Sequence, residues 1–486
     1  MGNKEHRYTK KEIINKLDAC LNKTLGEIDI NNVFEKTKAN PKITGIAGDV
    51  IEQSVLGYPA DNRQAPDLNI DGVETELKTT GIRQSKTEKG KYEAKEPMSI
   101  TAVSPDSIVD EEFENSNFWH KLDHLLFVYY LYASSITVKA ADYANFPIKG
   151  YEFYEFSTTD LQILKNDWLL VKNFIKKLQE DFDDYKAQYP RLSSELRKNL
   201  LYIDTAPKWP HPPRFRLKRA VITNIVQAHF GERLEQLPIQ YNSYADIDSK
   251  CHELTERFSG KTVRELIDYF EITGNVINKS ISERIIVKMF GGNVTKMRDI
   301  ELFDKIGLIS KSIVLTTEGL RTEDMKLFRM DFGEICNPGI GFEDSSFKDY
   351  FLDGQMLCIV FEEPSLNSAF EENKFIGFKR INFSDDFIEK KVEPVWNKIR
   401  QLIFNRKLVD VVVRNRETNK LVFNRTGVVQ SAPNFPKSKD NIVFVRGSSA
   451  DSKLKPLCIN GIHMYNQYLW LKGSYIATLL STKDYL

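Results

Sequence analysis

The sequence predicts an α/β protein made of two units of similar plan, each a mixed central sheet flanked by helices, joined by a helical connector. Three observations predict it. The chain has 486 residues, more than one hydrophobic core ordinarily organises. Two short and almost wholly apolar runs, 124–132 and 356–361, read as strands buried on both faces. The succession strand, strand, long helix, strand, strand, helix occurs twice in order, which a duplicated domain explains.

Residues 10–22 and 31–39 carry helical patterns, as does 46–56, where Gly45 and Gly48 near its start allow close approach of a neighbour. Strands are predicted at 73–79, 98–103, 124–132 and 151–157. Ser157-Thr-Thr-Asp160 then caps a helix over 161–184. Short strands at 200–203 and 215–218 and a helix at 220–230 close the first unit. In the second, strands at 356–361 and 375–381 precede a helix capped by Ser384-Asp-Asp386 and running to 404. Strands at 442–446 and 468–472 and a last helix follow. Its Trp396 stands in its helix much as Trp168 does in the first, and both read as packing residues. Thr262-Val-Arg-Glu265 has the form of a capping box. The expected division is 1–232, a connector at 233–275, and 276–486.

Hydrophobic residues make up 41% of the chain and charged residues 28%, proportions of a soluble globular protein. No apolar run approaches membrane-spanning length, and the start lacks the apolar core of a signal peptide. The five cysteines are scattered without a C-x-x-C pair, which points to buried thiols in a reducing compartment rather than a zinc site or disulfide framework. With 68 basic and 68 acidic residues there is no global basic field, so any contact with nucleic acid must be local.

The chemistry concentrates near the N-terminus. Pro66-Asp67 is followed by Glu76-Leu77-Lys78, and Glu52 lies on the helix after Gly48. Mg²⁺ takes hard oxygen ligands and keeps several waters, so one or two carboxylates and a phosphate oxygen suffice. Glu76 and Lys78 leave the same face of a strand, and Asp67 is placed to close the site from the side. Leu77 points into the core, with its backbone carbonyl free as a further ligand. Lys78 is positioned to orient or deprotonate an attacking water. Glu74 is a rival for Glu76, and a solvated strand edge is the plain alternative for the whole pattern.

From Lys208 to Arg219 there is no acidic residue. Alternation in Arg214-Phe215-Arg216-Leu217-Lys218 puts basic groups on one strand face and apolar ones on the other. That row suits phosphate contacts, or equally an edge strand guarded by charge.

Together with Phe118-Trp119-His120-Lys121, these motifs and the order of elements resemble the MutH-type branch of PD-(D/E)xK nucleases. The full length, with a second MutH-like unit, resembles the two-domain, GATC-cutting type II restriction endonucleases. The resemblance implies that Asp67 and Glu76 hold Mg²⁺ with the Leu77 carbonyl, that Lys78 is the motif lysine, and that Glu52 completes the acidic cluster. It implies that Lys121 is an added lysine near the scissile phosphate, and that Lys208, Arg214, Arg216 and Lys218 lie in the region contacting double-stranded DNA. It further implies a cytoplasmic bacterial enzyme with a cognate DNA methyltransferase, and dimerisation or looping of DNA through two bound sites. The chain departs from the family in the long gap between Asp67 and Glu76, in Ala206-Pro207-Lys208 where the family has Arg-Pro-Lys, and in Arg216 where it has an aromatic.

The second unit lacks the acids. Its counterpart of Glu52 falls near Ile286, that of 72–78 at 307–311 with only Lys311, and that of Lys121 near Leu352. Arg446 and Lys472 remain there for DNA, so the expectation is one cutting unit and one binding or regulatory unit. Two other readings are a strand-nicking mismatch-repair endonuclease and a non-cutting DNA-binding protein that senses sequence or modification.

Overall fold

The computed structural model describes residues 6–59, 65–85, 88, 90–134, 138–206, 209–273, 280–321, 323–365, 368–415, 417–423, 427–449, 451 and 453–486. The chain forms two compact units. The first takes the chain through Ser134, Val138–Ser249 and Val287–Leu308; the second takes Lys250–Ile286 and Ile309–Leu486. The stretch 233–275, expected as a connector, is thus divided between the units, and 287–308, expected in the second, belongs to the first. One of the ties is a buried charge. Asp160, at the start of the long helix, receives Lys305 at 2.9 and 3.1 Å and the Tyr202 hydroxyl at 2.7 Å. An enclosed carboxylate needs such a partner, and here it comes from far along the chain.

In the first unit the strands are β1 (Arg7–Tyr8), β2 (Leu68–Ile70), β3 (Val73–Gln84), β4 (Tyr92–Ala94), β5 (Met98–Ala102), β6 (Leu125–Leu131), β7 (Ile148–Tyr154), β8 (Ile203–Asp204) and β9 (Arg214–Leu217). The main sheet runs β1-β2-β3-β6-β7, with β4 also on β3. β6 is central, parallel to β3 and antiparallel to β7, which is why its residues are apolar on both faces. A smaller sheet has the order β5-β9-β8. The helix Thr158–Asp181 is capped by Ser157, whose hydroxyl accepts the Asp160 N–H. It buries Ile163, Leu164, Trp168, Val171, Ile175 and Leu178, a stripe at helical spacing. Trp168 packs edge-on against Phe113.

The second unit contains β10 (Leu308–Thr316), β11 (Met325–Arg329), β12 (Gln355–Glu363), β13 (Lys374–Ile381), β14 (Asp410–Val412), β15 (Ser431–Pro433), β16 (Val443–Ser448), β17 (Leu457–Ile459), β18 (Ile462–Met464) and β19 (Asn466–Leu471). Its sheets are β10-β12-β13 and β11-β19-β16, with the pairs β14-β15 and β17-β18. β12 is buried through its first seven residues, as β6 is through its first six. Local details recur as well. Ser116 donates to the Phe113 carbonyl at 2.6 Å and accepts the Trp119 N–H at 3.2 Å. Ser345 donates to the Phe342 carbonyl at 2.6 Å and accepts the Lys348 N–H at 3.2 Å. Trp396 packs edge-on against Phe347, on a helix that follows the Ser384 cap through a π turn at Ile388–Val392.

Candidate active site

The site is set by a hairpin. Asp71 and Gly72 both have positive φ, 50° and 93°, the backbone of a two-residue turn whose twist suits antiparallel strands. Across it Leu68 pairs with Thr75, Asn69 with Glu74 and Ile70 with Val73. One step further along that register sets Asp67 opposite Glu76, where facing side chains are close neighbours. The long sequence gap between the two acids is the length of this hairpin. It also separates the two glutamates: Glu76 is buried, whereas Glu74 is exposed near the turn.

Glu76 is 2% exposed, and cations hold both its oxygens. Lys121 Nζ lies 2.9 Å from Oε1 and 3.0 Å from Oε2, and Lys78 Nζ lies 2.6 Å from Oε1. Lys121 immediately follows the helix Asn117–His120, whose start is held by Ser116. Asp67 Oδ2 accepts the Leu77 N–H at 3.0 Å. A strand residue's N–H and C=O leave on the same edge, so the Leu77 carbonyl also points away from β6 and beyond the last β2 rung. Its side chain is buried, as expected.

Glu52 stands on the π turn Ile51–Leu56 that continues the helix Ile46–Val50. A Cβ on Gly48 would lie 3.3 Å from Thr79 Oγ1 and 4.0 Å from Glu52 Oε1, so glycine there lets this helix lie close against β3. Burial, reinforced by Asp67, Asp49 and Glu76, pushes the Glu52 carboxyl up to about 7. Burial and then Glu76 push Asp67 up to about 6, against the pull of Lys78, Lys121 and the Leu77 N–H. The Tyr58 hydroxyl is enclosed without a hydrogen-bond partner among the described residues, and its ring stacks at 4.2 Å on His6. His6 in turn bonds the Asp67 carbonyl through Nδ1 at 2.9 Å.

Three carboxyls against two lysines leave excess negative charge that burial makes unfavourable. A hard divalent cation answers that excess, and Asp67, Glu76 and the Leu77 carbonyl are the oxygen set suited to Mg²⁺. The three carboxyls do not themselves form a closed ligand array: no group of three His, Cys, Asp or Glu arranged for a metal occurs among the described residues. Lysines occupy both Glu76 oxygens instead.

Residues 56–167 match the family model described as MutH, DNA mismatch repair enzyme MutH. That segment carries Asp67, Glu76, Lys78 and Lys121. It is a MutH-type nuclease domain. Over 97% of its length and 98% of the relative's, the chain is also 22% identical to the Type II restriction enzyme Sau3AI of Staphylococcus aureus. The chain thus carries a MutH-like domain and resembles, over nearly its full length, a restriction deoxyribonuclease.

The expected DNA-contacting groups of the MutH-type unit fare differently. Lys208 lies outside the described residues. Arg214 is exposed at the start of β9. Arg216 is held by Asp204, Nε at 2.8 Å and Nη2 at 2.9 Å, so its charge is already answered. Lys218 is a correction to the expected basic face: it is 6% exposed and donates to the Leu200 carbonyl. The alternation ends with the strand at Leu217, and Lys218 turns inward where the helix Arg219–His229 begins. In the second unit Arg446 pairs with Asp324 at 2.7 Å and lies over Trp470, while Lys472 is the N-cap of the helix Gly473–Ser481.

The counterparts in the second unit also move. Tyr350, not Leu352, takes the place of Lys121, since each stands five residues past its cap serine, Ser345 or Ser116. Ile286 is a core residue, 1% exposed. The acid on its helix is Glu283, which accepts the Ser310 hydroxyl of β10 at 3.2 Å.

His6, Tyr58 and Asp204 were not anticipated. Asp71-Gly72 was the available signal for the first two, because recognising that turn brings Asp67 and its neighbours beside Glu76. Nothing local in the sequence marks Asp204 as the partner of Arg216.

Proposed function

We propose that this protein is a type II restriction endonuclease that hydrolyses double-stranded DNA with Mg²⁺ at a short specific site of the GATC kind. The observation that carries the reading is the opposition of Asp67 and Glu76 across the hairpin, with Lys78 and Lys121 on Glu76 and the Leu77 carbonyl on the same open edge. The whole-length similarity to a restriction enzyme supports it.

When bound, a divalent cation supplies Lewis acidity and lowers the pKa of a coordinated water. Asp67, Glu76 and the Leu77 carbonyl would hold it. Lys78, freed from part of its attraction to Glu76, orients the attacking water. Lys121 offsets negative charge growing on the phosphate, a stabilisation that exists only where the donor is fixed in advance. Glu52 takes up or releases a proton within the working pH range, as a carboxyl raised to about 7 does.

The second unit is the DNA-binding or regulatory partner in this reading, able to engage a second copy of the site by looping or dimerisation. A cognate methyltransferase follows from the need to protect host DNA. Among the described residues no helix is long and apolar enough to cross a membrane.

The deciding experiment is digestion of unmodified and adenine-methylated plasmid by the purified protein with Mg²⁺, followed by run-off sequencing. Linear product cut at one short sequence is expected. Nicked circles alone point to a strand-nicking enzyme. Binding without any cut overturns the nuclease reading.

A further inference from the structure

Glu52 and Asp67 stand on different elements, and one buried side chain links them. Glu52 is on the π turn Ile51–Leu56, and Asp67 immediately precedes β2. Gly57 ends the turn at φ 91°, a conformation that glycine takes without steric cost. The chain turns back there, so the N–H groups of Gly57 and Tyr58 both reach the Glu52 carbonyl, at 2.7 and 3.0 Å. The Tyr58 ring then stacks on His6 at 4.2 Å, and His6 Nδ1 lies 2.9 Å from the Asp67 carbonyl. A carbonyl only accepts, so Nδ1 carries the proton. His6 is thus bonded to the main chain of one acid and stacked on a residue bonded to the main chain of the other.

His6 is itself held firmly. It is 6% exposed and Tyr58 5%. The Asn69 N–H reaches the His6 carbonyl at 3.0 Å, and β1 pairs Arg7 with Asn69 and Tyr8 with Ile70. The Tyr8 hydroxyl donates to the Leu56 carbonyl at 2.8 Å. The first strand therefore holds both the hairpin that follows Asp67 and the end of the turn that carries Glu52.

The Tyr58 hydroxyl is enclosed and has no hydrogen-bond partner among the described residues. Burial first, then Glu52 and Asp67, hold it above the ordinary phenol range, so it stays an O–H donor. An enclosed donor with no acceptor is unfavourable. The carboxylates of the cluster are the acceptors whose charge acts on it.

We propose that His6 and Tyr58 are positioning residues: a joint that fixes Glu52 relative to Asp67 so that the acid cluster takes up a divalent cation, with the Tyr58 hydroxyl donating to a cluster carboxylate in the loaded state. His6 grips the main chain of Asp67 and leaves its carboxyl to the cluster. Groups that orient a metal's ligands in this way commonly change its affinity tenfold or more. That a cation binds here rests on the nuclease reading above.

The test uses the full metal-free chain without DNA. Mn²⁺ is titrated in, and the ion left in solution is counted by electron paramagnetic resonance. Asp67→Asn is expected to abolish tight uptake, which places the ion. His6→Ala is expected to weaken Mn²⁺ binding about tenfold. His6→Asn restores a donor at the position of Nδ1 and is expected to recover part of that loss. Tyr58→Phe keeps the stack and removes one oxygen; it is expected to weaken Mn²⁺ binding about threefold. In chelator the same variant is expected to melt no lower than the wild type, because it deletes an unsatisfied donor. A merely structural tyrosine would lower the melting temperature and leave the ion's affinity alone. In cutting assays the Mg²⁺ concentration for half-maximal rate is expected to rise in the same proportion, with KM for the duplex unchanged.

Wild-type Mn²⁺ affinity in His6→Ala and Tyr58→Phe overturns the proposal. So does a Tyr58→Phe chain that melts lower in chelator yet binds Mn²⁺ as the wild type does. A wild type that takes up no Mn²⁺ overturns it whatever the cutting assay shows. If Mn²⁺ binds and the variants behave as stated but DNA is never cut, the joint stands and the nuclease reading falls. Cutting with every variant at wild-type affinity is the reverse result.

Discussion

Lys121 Nζ sits 2.9 and 3.0 Å from the two oxygens of Glu76, bridging a helix end to the first residue of the Glu76-Leu77-Lys78 triplet on β3. This ion pair ties the cluster's most enclosed acid to the segment that precedes β6. Removing one partner of such a pair is more damaging than removing both. Lys121→Ala is expected to destabilise the fold by about 3 kcal/mol and to lower the cutting rate by about 100-fold or more. Glu76→Gln combined with Lys121→Met is expected to be the more stable protein and equally inactive. Urea unfolding and single-turnover cleavage measure the two effects.

Proton linkage gives a second expectation. The Glu52 and Asp67 carboxyls are raised to about 7 and about 6, by burial first and neighbouring acids second. The folded, metal-free protein therefore retains protons that the unfolded chain has released. Their contribution to stability is fully present below the unfolded carboxylate pKa of about 4 and is lost as pH rises through about 6 and then about 7. Glu52→Gln is expected to raise the melting temperature at about pH 8, with the gain vanishing by about pH 5. A gain independent of pH would contradict this account of Glu52.

Cation binding opposes the same repulsion. Mg²⁺ or Mn²⁺ is expected to raise the melting temperature of the wild type at neutral pH and to leave Asp67→Asn nearly unmoved. Chelation is expected to abolish cutting while duplex binding persists. Calorimetry with and without the ion, alongside a gel-shift assay, separates the two.

A fourth expectation concerns the fold alone. Asp167 is 1% exposed and accepts the backbone N–H groups of Leu201, Tyr202 and Ile203 at 2.9, 2.7 and 3.1 Å. It pins the strand β8 approach to the long helix. Asp167→Ala strands three donors and is expected to cost about 3–5 kcal/mol, Asp167→Asn less because one oxygen remains. Chemical denaturation orders the three proteins.

The parts of this molecule that could be read in advance are those whose signal is local. β6 and β12 declare themselves by unbroken apolar runs, and the long helix by Ser157 and a stripe ending near Leu178. Glu76, Leu77 and Lys78 alternate as a strand demands. Other features depend on residues distant in sequence. β2 has three residues, too few for a period, so the strand or turn expected at Asp67 could not be bounded from sequence, although Asp71-Gly72 marks its turn. Lys218 looked like the last of an alternating row and instead caps a carbonyl at Leu200. Arg216 reads as a free charge until Asp204 is placed beside it. The return of 287–308 to the first unit leaves no trace in any window of sequence, because it rests on pairings between distant residues such as Asp160 with Lys305 and Asn224 with Asp304.

That pairing has a bearing on synthesis. A ribosome that has translated every residue of the nuclease sheet has still to make the ammonium that Asp160 requires, and must pass through 250–286, which belong to the other unit, before reaching it. The first unit thus lacks the cation that Asp160 holds until residue 305 has left the exit tunnel.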